Sequence, residues 1–230
     1  MVGLTGGEQS YAMIQYLNQP VKVNISGYHL PLKGHLIDVG SDIIVLYDGL
    51  KYMYLPLVHL QGLTECPSNE NDFGEAADYD REPIAELSYR KVLLNARGKF
   101  LELFVTGNQT VHGYITSIMN DFFLFHSPTY KSLYISMNHL KWLSPYDSGA
   151  TPYSLEREKF PAVPAASSLA RTFEQQLRKM EGEFIVLDQG DLPKKNGLLK
   201  SVKDGLIELT TADGASNFLH IDHVKSFHCP

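Results

Sequence analysis

Residues 113–140 read GYITSIMNDFFLFHSPTYKSLYISMNHL, and this stretch decides the fold. Its apolar residues alternate with polar ones or form short runs, a pattern that is typical of β-strands. Turn-forming residues separate the runs, so the stretch predicts three strands joined by tight turns. A glycine inside the first of these strands indicates a bend or a close approach of two backbones. The stretch therefore predicts a small, bent antiparallel sheet.

The same pattern occurs three times along the chain, which makes it an internal repeat. In each repeat a glycine is followed 25 or 26 residues later by a histidine that precedes a short apolar strand, the pairs being Gly34/His59, Gly113/His139 and Gly197/His223. An acidic residue lies seven or eight positions after each glycine, namely Asp42, Asp121 and Asp204. We expect these aspartates to form turns by bonding their own backbone.

A helix is predicted before each repeat, at residues 8–18, 83–96 and 166–180. The expected fold is mainly β, with three tandem, small, bent, five-stranded antiparallel barrels, each preceded by a short α-helix. Bending allows a short sheet to close without open edges. The predicted domains are repeat 1 (1–63), repeat 2 (83–143) and repeat 3 (166–230), separated by an acidic linker (64–82) and a linker rich in Pro, Ala and Ser (144–165).

The charge distribution argues against a protein that coats nucleic acid, because such proteins are usually basic. The whole chain has a formal net charge of −6, and residues 64–82 alone carry a net charge of −6. Repeat 2 is mildly basic, with a net charge of +3. Two cysteines are too few for a disulfide framework of the kind found in secreted proteins. The sequence shows no leader and no long apolar run. We therefore expect a cytoplasmic protein that does not enter membranes.

Residues 113–125 and 34–46 resemble the first sequence motif of the Sm-like (LSm) family, which combines a glycine, alternating apolar residues, an acid and an apolar strand. The resemblance covers the three barrel stretches, which are a little over half of the chain. It implies the Sm-like fold for each repeat.

Two branches of this family compete as the better match. The RNA chaperone Hfq binds RNA with a Tyr-Lys-His run, and none of the matching positions (56–58, 136–138 and 220–222) has that run. Sm-like proteins of spore-forming Firmicutes, some of them described as spore-coat related, end in a motif to which residues 54–60 (YLPLVHL) and 134–140 (YISMNHL) are similar. The second branch is the better match.

Three groups of residues are candidates for binding, and each has a structural alternative. His59, His139 and His223 are either repeated ligand or phosphate contacts or turn residues that bond the backbone. Tyr54 and Tyr134 suit the stacking of bases, protein contacts or plain packing. Lys194 and Lys195 are either a phosphate site or a solvated face. No motif predicts a catalytic residue, a metal site or a cofactor.

The resemblance and the charge balance together predict a non-enzymatic assembly or scaffold protein that acts through protein–protein contacts and is associated with the spore coat. The expected partners are proteins and a second copy of the chain, with two copies forming a pseudo-hexameric ring, because single Sm-like units leave open strand edges. The alternative is an RNA-binding regulator similar to Hfq. It is supported by the fold resemblance and by the basic repeat 2.

Overall fold

The computed structural model of the protein describes residues 12–71, 73, 87–107, 109–147, 152–154 and 168–230. These residues consist mainly of antiparallel strands, with few and short helices, so the prediction of a mainly β protein is confirmed. None of the described helices is long and apolar enough to cross a membrane.

The strands and helices are numbered here in chain order. The strands are β1 Pro20–Ile25, β2 Leu32–Val39, β3 Ile43–Tyr47, β4 Tyr52–Pro56, β5 Leu60–Glu65, β6 Phe100–Phe104, β7 Val111–Ile118, β8 Phe122–Ser127, β9 Lys131–Ser136, β10 Trp142–Pro145, β11 Phe184–Leu187, β12 Asn196–Lys203, β13 Leu206–Thr210, β14 Ser216–His220 and β15 Ser226–His228. The α-helices are α1 Tyr89–Ala96 and α2 Phe173–Arg178. Short 3-10 turns lie at Ile14–Tyr16, Leu57–His59, Ser68–Glu70, Met137–His139, Pro152–Ser154, Asp188–Gly190, Pro193–Lys195 and Ile221–His223.

The chain divides into two compact units. Unit 1 consists of the described residues of Met1–Ala96 and Lys141–Pro145, and unit 2 of those of Arg97–Leu140 and Tyr146–Pro230. Unit 1 therefore holds the strands of repeat 1 together with α1 and β10, which belong to repeat 2 in the sequence. Unit 2 holds β6 to β9 and the whole described part of repeat 3. The three domains drawn from the repeats stay a prediction.

Within each unit the strands follow a repeated order. In unit 1 the order is β5-β1-β2-β3-β4-β10, and in unit 2 it is β6-β7-β8-β9-β15-β11-β12-β13-β14, with antiparallel pairing between the neighbours. Repeats 1 and 3 therefore share the order fifth-first-second-third-fourth. Neither order returns to the strand with which it starts. The sheets are open, and the closed barrels expected from the sequence are not confirmed.

The repeated glycines lie where the second strand of a repeat crosses closely over the third. A Cβ atom at Gly34 would overlap the carbonyl oxygen of Tyr47, and Gly113 and Gly197 have the same relation to His126 and Thr210. Beyond each glycine the register between the two strands shifts by one residue, between Leu36/Asp38, Ile115/Ser117 and Leu199/Ser201. Such a bulge bends a strand. The predicted close approach and bend are therefore both present in all three repeats.

The helices are shorter than the sequence pattern suggested. Helix α1 takes only the second half of the predicted range 83–96, of which residues 83–86 lie outside the described part. Helix α2, Phe173–Arg178, lies in the second half of the predicted range 166–180. Residues 8–11 of the first predicted helix lie outside the described residues, and the described remainder contains the 3-10 turn Ile14–Tyr16.

Alternating strand residues fill the core of each unit. In unit 1 the third strand is buried along most of its length, with Ile43, Ile44, Val45 and Leu46 fully inside. In unit 2 the aromatic residues Phe122, Phe123 and Phe125 occupy the matching strand. Helix α2 adds Phe173 and Leu177 to a cluster that also contains Tyr134 and Phe227. The short helices therefore owe their stability to packing on the strands.

Candidate functional site

His59 is buried at the point where strand β4 ends. It is the last residue of the 3-10 turn Leu57–His59, and its carbonyl oxygen accepts a hydrogen bond from the backbone N–H of Ser26 (2.9 Å). Its Nδ1 atom lies 3.1 Å from Ser26 Oγ and accepts a hydrogen bond from Lys141 Nζ (2.9 Å). Lys141 also donates to Ser26 Oγ (2.9 Å). The ring is thus part of a buried polar cluster inside unit 1.

His139 and His223 have different surroundings, although they occupy the same position in their repeats. The Nε2 atom of His139 donates to the carbonyl oxygen of Asp222 (2.8 Å), so the ring joins the fourth-strand end of repeat 2 to the matching turn of repeat 3. His223 is exposed, with its ring 5.8 Å from that of His220. No cluster of three or more potential metal ligands occurs among the described residues.

Tyr54 and Tyr134 lie five residues before His59 and His139, on β4 and β9, and both face a strand of the following repeat. Tyr54 is half-buried and stands directly opposite Leu143 of β10. Tyr134 is buried opposite Phe227 of β15, and the two rings stack with centroids 4.5 Å apart and planes 8° apart. Burial, with a smaller contribution from Cys229, raises the pKa of the Tyr134 hydroxyl. The Tyr134 ring is therefore used for packing between repeats.

Of the two predicted lysines, only Lys195 belongs to a buried ionic group. Its Nζ donates to Asp188 Oδ2 (2.7 Å) and to Asp191 Oδ2 (3.2 Å). Partial burial disfavours its charged form, but the hydrogen bonds and charges of these two aspartates outweigh that effect and raise the pKa of Lys195. Lys194 is exposed, and its carbonyl oxygen accepts a hydrogen bond from Asn217 (2.7 Å). The two lysines therefore do not form one site.

The sequence analysis did not identify Asp188 as a candidate residue, although it is the most buried charged group near Lys195. Its Oδ1 atom accepts hydrogen bonds from the backbone N–H groups of Lys225 (2.7 Å) and Ser226 (3.1 Å). It begins a turn of three consecutive residues with positive φ, Asp188, Gln189 and Gly190. The side chain lines a cleft of about 250 Å³ in unit 2. Both its oxygens are occupied by the protein, which favours a role in holding the turn.

Asp42 and Asp121 cap the helices that precede the following repeats, so the expectation that they bond their own backbone was wrong. Asp42 Oδ1 accepts a hydrogen bond from the backbone N–H of Tyr89 (2.7 Å), the first residue of α1. Asp121 Oδ1 accepts one from Phe173 (2.8 Å), the first residue of α2. A carboxylate at a helix N-terminus satisfies an unpaired N–H and complements the helix dipole.

The third repeat lacks this cap. The position eight residues after Gly197 is Gly205, and Asp204 beside it has a positive φ of 51°. The difference in spacing, seven residues instead of eight, was the signal in the sequence that Asp204 has another role.

The start of the predicted acidic linker is structured. Thr64 and Glu65 belong to β5, and Cys66 is buried, so this end is not the open tether expected. Glu70 pairs with Lys22 (2.7 Å) and Lys33 (2.9 Å) on the first two strands. Hydrogen bonds from these lysines lower the pKa of Glu70 to about 2. Most of the remaining linker, residues 74–82, lies outside the described residues.

Comparison with known proteins gives two matches. The family model described as the YwrJ third domain matches residues 172–227, which lie within repeat 3. The chain is also 41% identical over 224 residues to a protein of Bacillus subtilis (strain 168) named "Uncharacterized protein YwrJ", and the match covers 94% of this chain and 98% of the relative. Similarity of this extent over nearly the whole of both chains shows common descent and a common fold. The chain therefore belongs to the YwrJ family.

Proposed function

We propose that this chain is a non-enzymatic assembly protein, built from three tandem Sm-like repeats and acting through protein–protein contacts. One observation carries the proposal. At both contacts between consecutive repeats, β4–β10 and β9–β15, the fourth strand of one repeat pairs with the fifth strand of the next. We call these two contacts the repeat junctions. A protein that joins its own repeats through strand edges has surfaces suited to assembly.

The side chains at the predicted binding positions support this function. His59, His139 and Tyr134 contact other parts of the protein at or beside the repeat junctions, and Lys195 neutralises Asp188. Ligand-binding residues are normally directed into an accessible site. Four of the seven predicted residues are instead committed to internal contacts, which favours assembly over nucleic-acid binding or catalysis.

The resemblance to Sm-like proteins of spore-forming bacteria supports a place for this assembly in or on the spore coat. The corresponding test is the location of a fluorescent fusion protein during sporulation. Fluorescence confined to the developing spore is the expected result. Uniform fluorescence in vegetative cells, with no enrichment in spores, would contradict the spore-coat part of the proposal.

A nucleic-acid titration separates assembly from the RNA-binding alternative. Filter binding of the full chain to A-rich and to U-rich RNA, each at low and at moderate salt, is expected to show no binding in the micromolar range. Retention of RNA at micromolar protein, with affinity that falls steeply as salt rises, would overturn the proposal because that slope reports phosphate contacts. Hfq with the same RNA is the positive control.

A further inference from the structure

Unit 2 contains a cleft of about 250 Å³ beside the turn that begins at Asp188. Its lining comes from three parts of the chain: the loop between β6 and β7, the turn before β9, and the turns between β11 and β12. Every lining residue belongs to unit 2. Side chains from two repeats thus surround one concave space, which makes the cleft a candidate binding site.

A polar side chain in this cleft lacks a partner within the protein. Thr106 lines the cleft and is only 9% exposed, yet its hydroxyl group has no hydrogen-bond partner among the described residues. Gln189 lines the cleft too, and its Nε2 atom is buried without a partner in the same part of the chain. Unpaired buried polar groups cost free energy, and native proteins contain few of them. A molecule in the cleft would supply the hydrogen bond that the Thr106 hydroxyl lacks.

The equivalent hydroxyl group of unit 1 is paired. Ser26 and Thr106 hold the same position in their repeats, five residues after the strand residue that faces the repeated glycine, and each precedes a glycine. In unit 1, Lys141 Nζ donates to Ser26 Oγ (2.9 Å). Lys225 is the equivalent lysine of unit 2, two residues after the repeated histidine, but its Nζ lies 3.8 Å from Asp188 Oδ2. Because this lysine is directed to a carboxylate instead, the Thr106 hydroxyl faces the cleft.

The charged groups around the cleft balance each other, which favours a neutral ligand. Asp188 and Asp191 are the carboxylates of the lining. Lys195 Nζ lies 2.7 Å from Asp188 and 3.2 Å from Asp191, and Lys225 is the second cation beside Asp188. A charged ligand would have to compete with these ion pairs, and separating a partly buried ion pair is costly. A neutral ligand leaves the pairs intact.

The size of the cleft and its remaining lining groups suit a single ring that carries hydroxyl groups. Sites for drug-sized ligands measure about 300–1,000 Å³, so a cleft of about 250 Å³ accepts a smaller molecule. The Tyr130 ring lines the cleft and is held edge-to-face against His228, with centroids 5.3 Å apart, so it offers a flat apolar surface. The hydroxyl group of Thr106 and the amide group of Gln109 can each donate and accept hydrogen bonds. A sugar ring matches this lining, since it combines an apolar C–H face with hydroxyl groups that donate and accept.

We propose that this cleft binds one neutral sugar ring, free or at the end of a glycan, with a sugar hydroxyl hydrogen-bonded to Thr106 Oγ1 and the C–H face of the ring packed on Tyr130. The Asp188 carboxylate, held by two backbone N–H groups and by Lys195, fixes the neighbouring wall before a ligand arrives. A wall that is already ordered lowers the entropic cost of binding. This activity goes beyond the proposed assembly function and does not depend on it.

An NMR titration of the isotope-labelled full chain tests the site. The probes are methyl glucoside and N-acetylglucosamine as single rings, and the trimer of N-acetylglucosamine as the end of a glycan. A ring of about a dozen non-hydrogen atoms is expected to bind with a dissociation constant on the order of 1 mM, and tighter binding of the trimer would identify a glycan as the source. The largest shifts are expected at the backbone amides of Gly107, Gln109 and Gln189.

Inorganic phosphate and methylammonium are the charged comparison probes, and both are expected to bind more weakly than the sugars. Three results would overturn the proposal: no shifts with any of the sugars, shifts confined to other parts of the chain, or stronger binding of a charged probe. The first two would reject the site, and the third would reject a neutral ligand.

The Thr106→Val variant tests the hydrogen bond, because valine has nearly the shape of threonine but no hydroxyl group. Sugar affinity is expected to fall about fivefold, the value of one hydrogen bond. Stability without sugar should not fall, since the hydroxyl has no partner among the described residues. Thr210→Val is the matched control: Thr210 is half-buried on β13 and is not among the described residues that line the cleft, so this variant should bind sugar like the wild type. Equal sugar affinity of the two variants would overturn the proposed contact.

Discussion

The junctions β4–β10 of unit 1 and β9–β15 of unit 2 have the same strand register but different side-chain chemistry. In unit 1 the group is polar and consists of the buried Lys141 and His59 with the half-buried Ser26. In unit 2 the stacked rings of Tyr134 and Phe227 join an apolar cluster around helix α2. The backbone pairing is thus the common element, and the side chains beside it have diverged. Each difference between the junctions leads to a different response to mutation or pH.

The largest loss of unfolding free energy is expected at the apolar junction, β9–β15. Phe227 is fully buried against Tyr134 and Phe173. Phe227→Ala is expected to lower the free energy of unfolding by about 3–5 kcal/mol, because it removes an aromatic ring and leaves a cavity. Urea unfolding followed by circular dichroism measures the loss. Leu50→Ala, at an exposed position, is the control and should change the free energy by under about 0.5 kcal/mol. A loss from Phe227→Ala no larger than the control's would show that this junction is not tightly packed.

At the polar junction we expect an intermediate loss of unfolding free energy, with an energetic coupling between Lys141 and Ser26. Lys141→Met removes a donor that bonds both Ser26 and His59, and it is expected to cost about 1–3 kcal/mol of unfolding free energy because buried polar atoms lose a partner. The Ser26→Ala change in the same background should cost less than in the wild type, since the two residues share one interaction. Unfolding of the two single variants and the double variant measures the coupling. Strict additivity would mean that the cluster is not a cooperative group.

The smallest expected effect is a loss of stability at acid pH, and it should differ between the two units. His126 and His228 are buried in unit 2, and burial lowers the pKa of both rings below the ordinary value of 6.5. The unfolded chain therefore binds more protons than the folded chain below about pH 6.5, and unit 2 should lose stability as the pH falls through that value. In unit 1 the lowered pKa of Glu70, about 2, keeps its ion pairs with Lys22 and Lys33 intact over the same range.

Hydrogen exchange of peptides from each unit, measured at pH 7 and pH 5 and corrected for intrinsic rates, tests this difference. Exchange is expected to increase in unit 2 at pH 5 and to stay constant around β1, β2 and Glu70. A His126→Leu, His228→Leu double variant should abolish the increase, because neither side chain then titrates. An equal increase in both units, or an increase that persists in the double variant, would show that these histidines are not the cause.

Several features of the fold were accessible from the sequence because they depend on local chemistry. The glycine of each second strand was predictable, since a Cβ atom there meets the backbone of the neighbouring strand. Alternating apolar residues predicted the strands, and the histidine spacing predicted the repeats. These signals are local in the chain, so they need no knowledge of which strands meet.

The roles of the site residues were not accessible in the same way, because each depends on a distant partner. Asp42 bonds the N–H of a residue 47 positions away, and Asp121 bonds one that is 52 positions away. Lys141 and His59 are 82 positions apart in the chain. A short pattern does not contain these distances, and turn formation was therefore the natural but incorrect expectation for the aspartates.

The sequence by itself determined the β-rich repeats, their close strand crossings and the concentration of acidic charge in one segment, since periodicity, glycine positions and composition are properties of neighbouring residues. Only the tertiary structure decided that fifth strands pair with the preceding repeat and that the aspartates cap the following helices. It also decided that His59 is buried while His223 is exposed. Those outcomes follow from which edges find a partner, and hydrogen bonding across an edge depends on the whole fold.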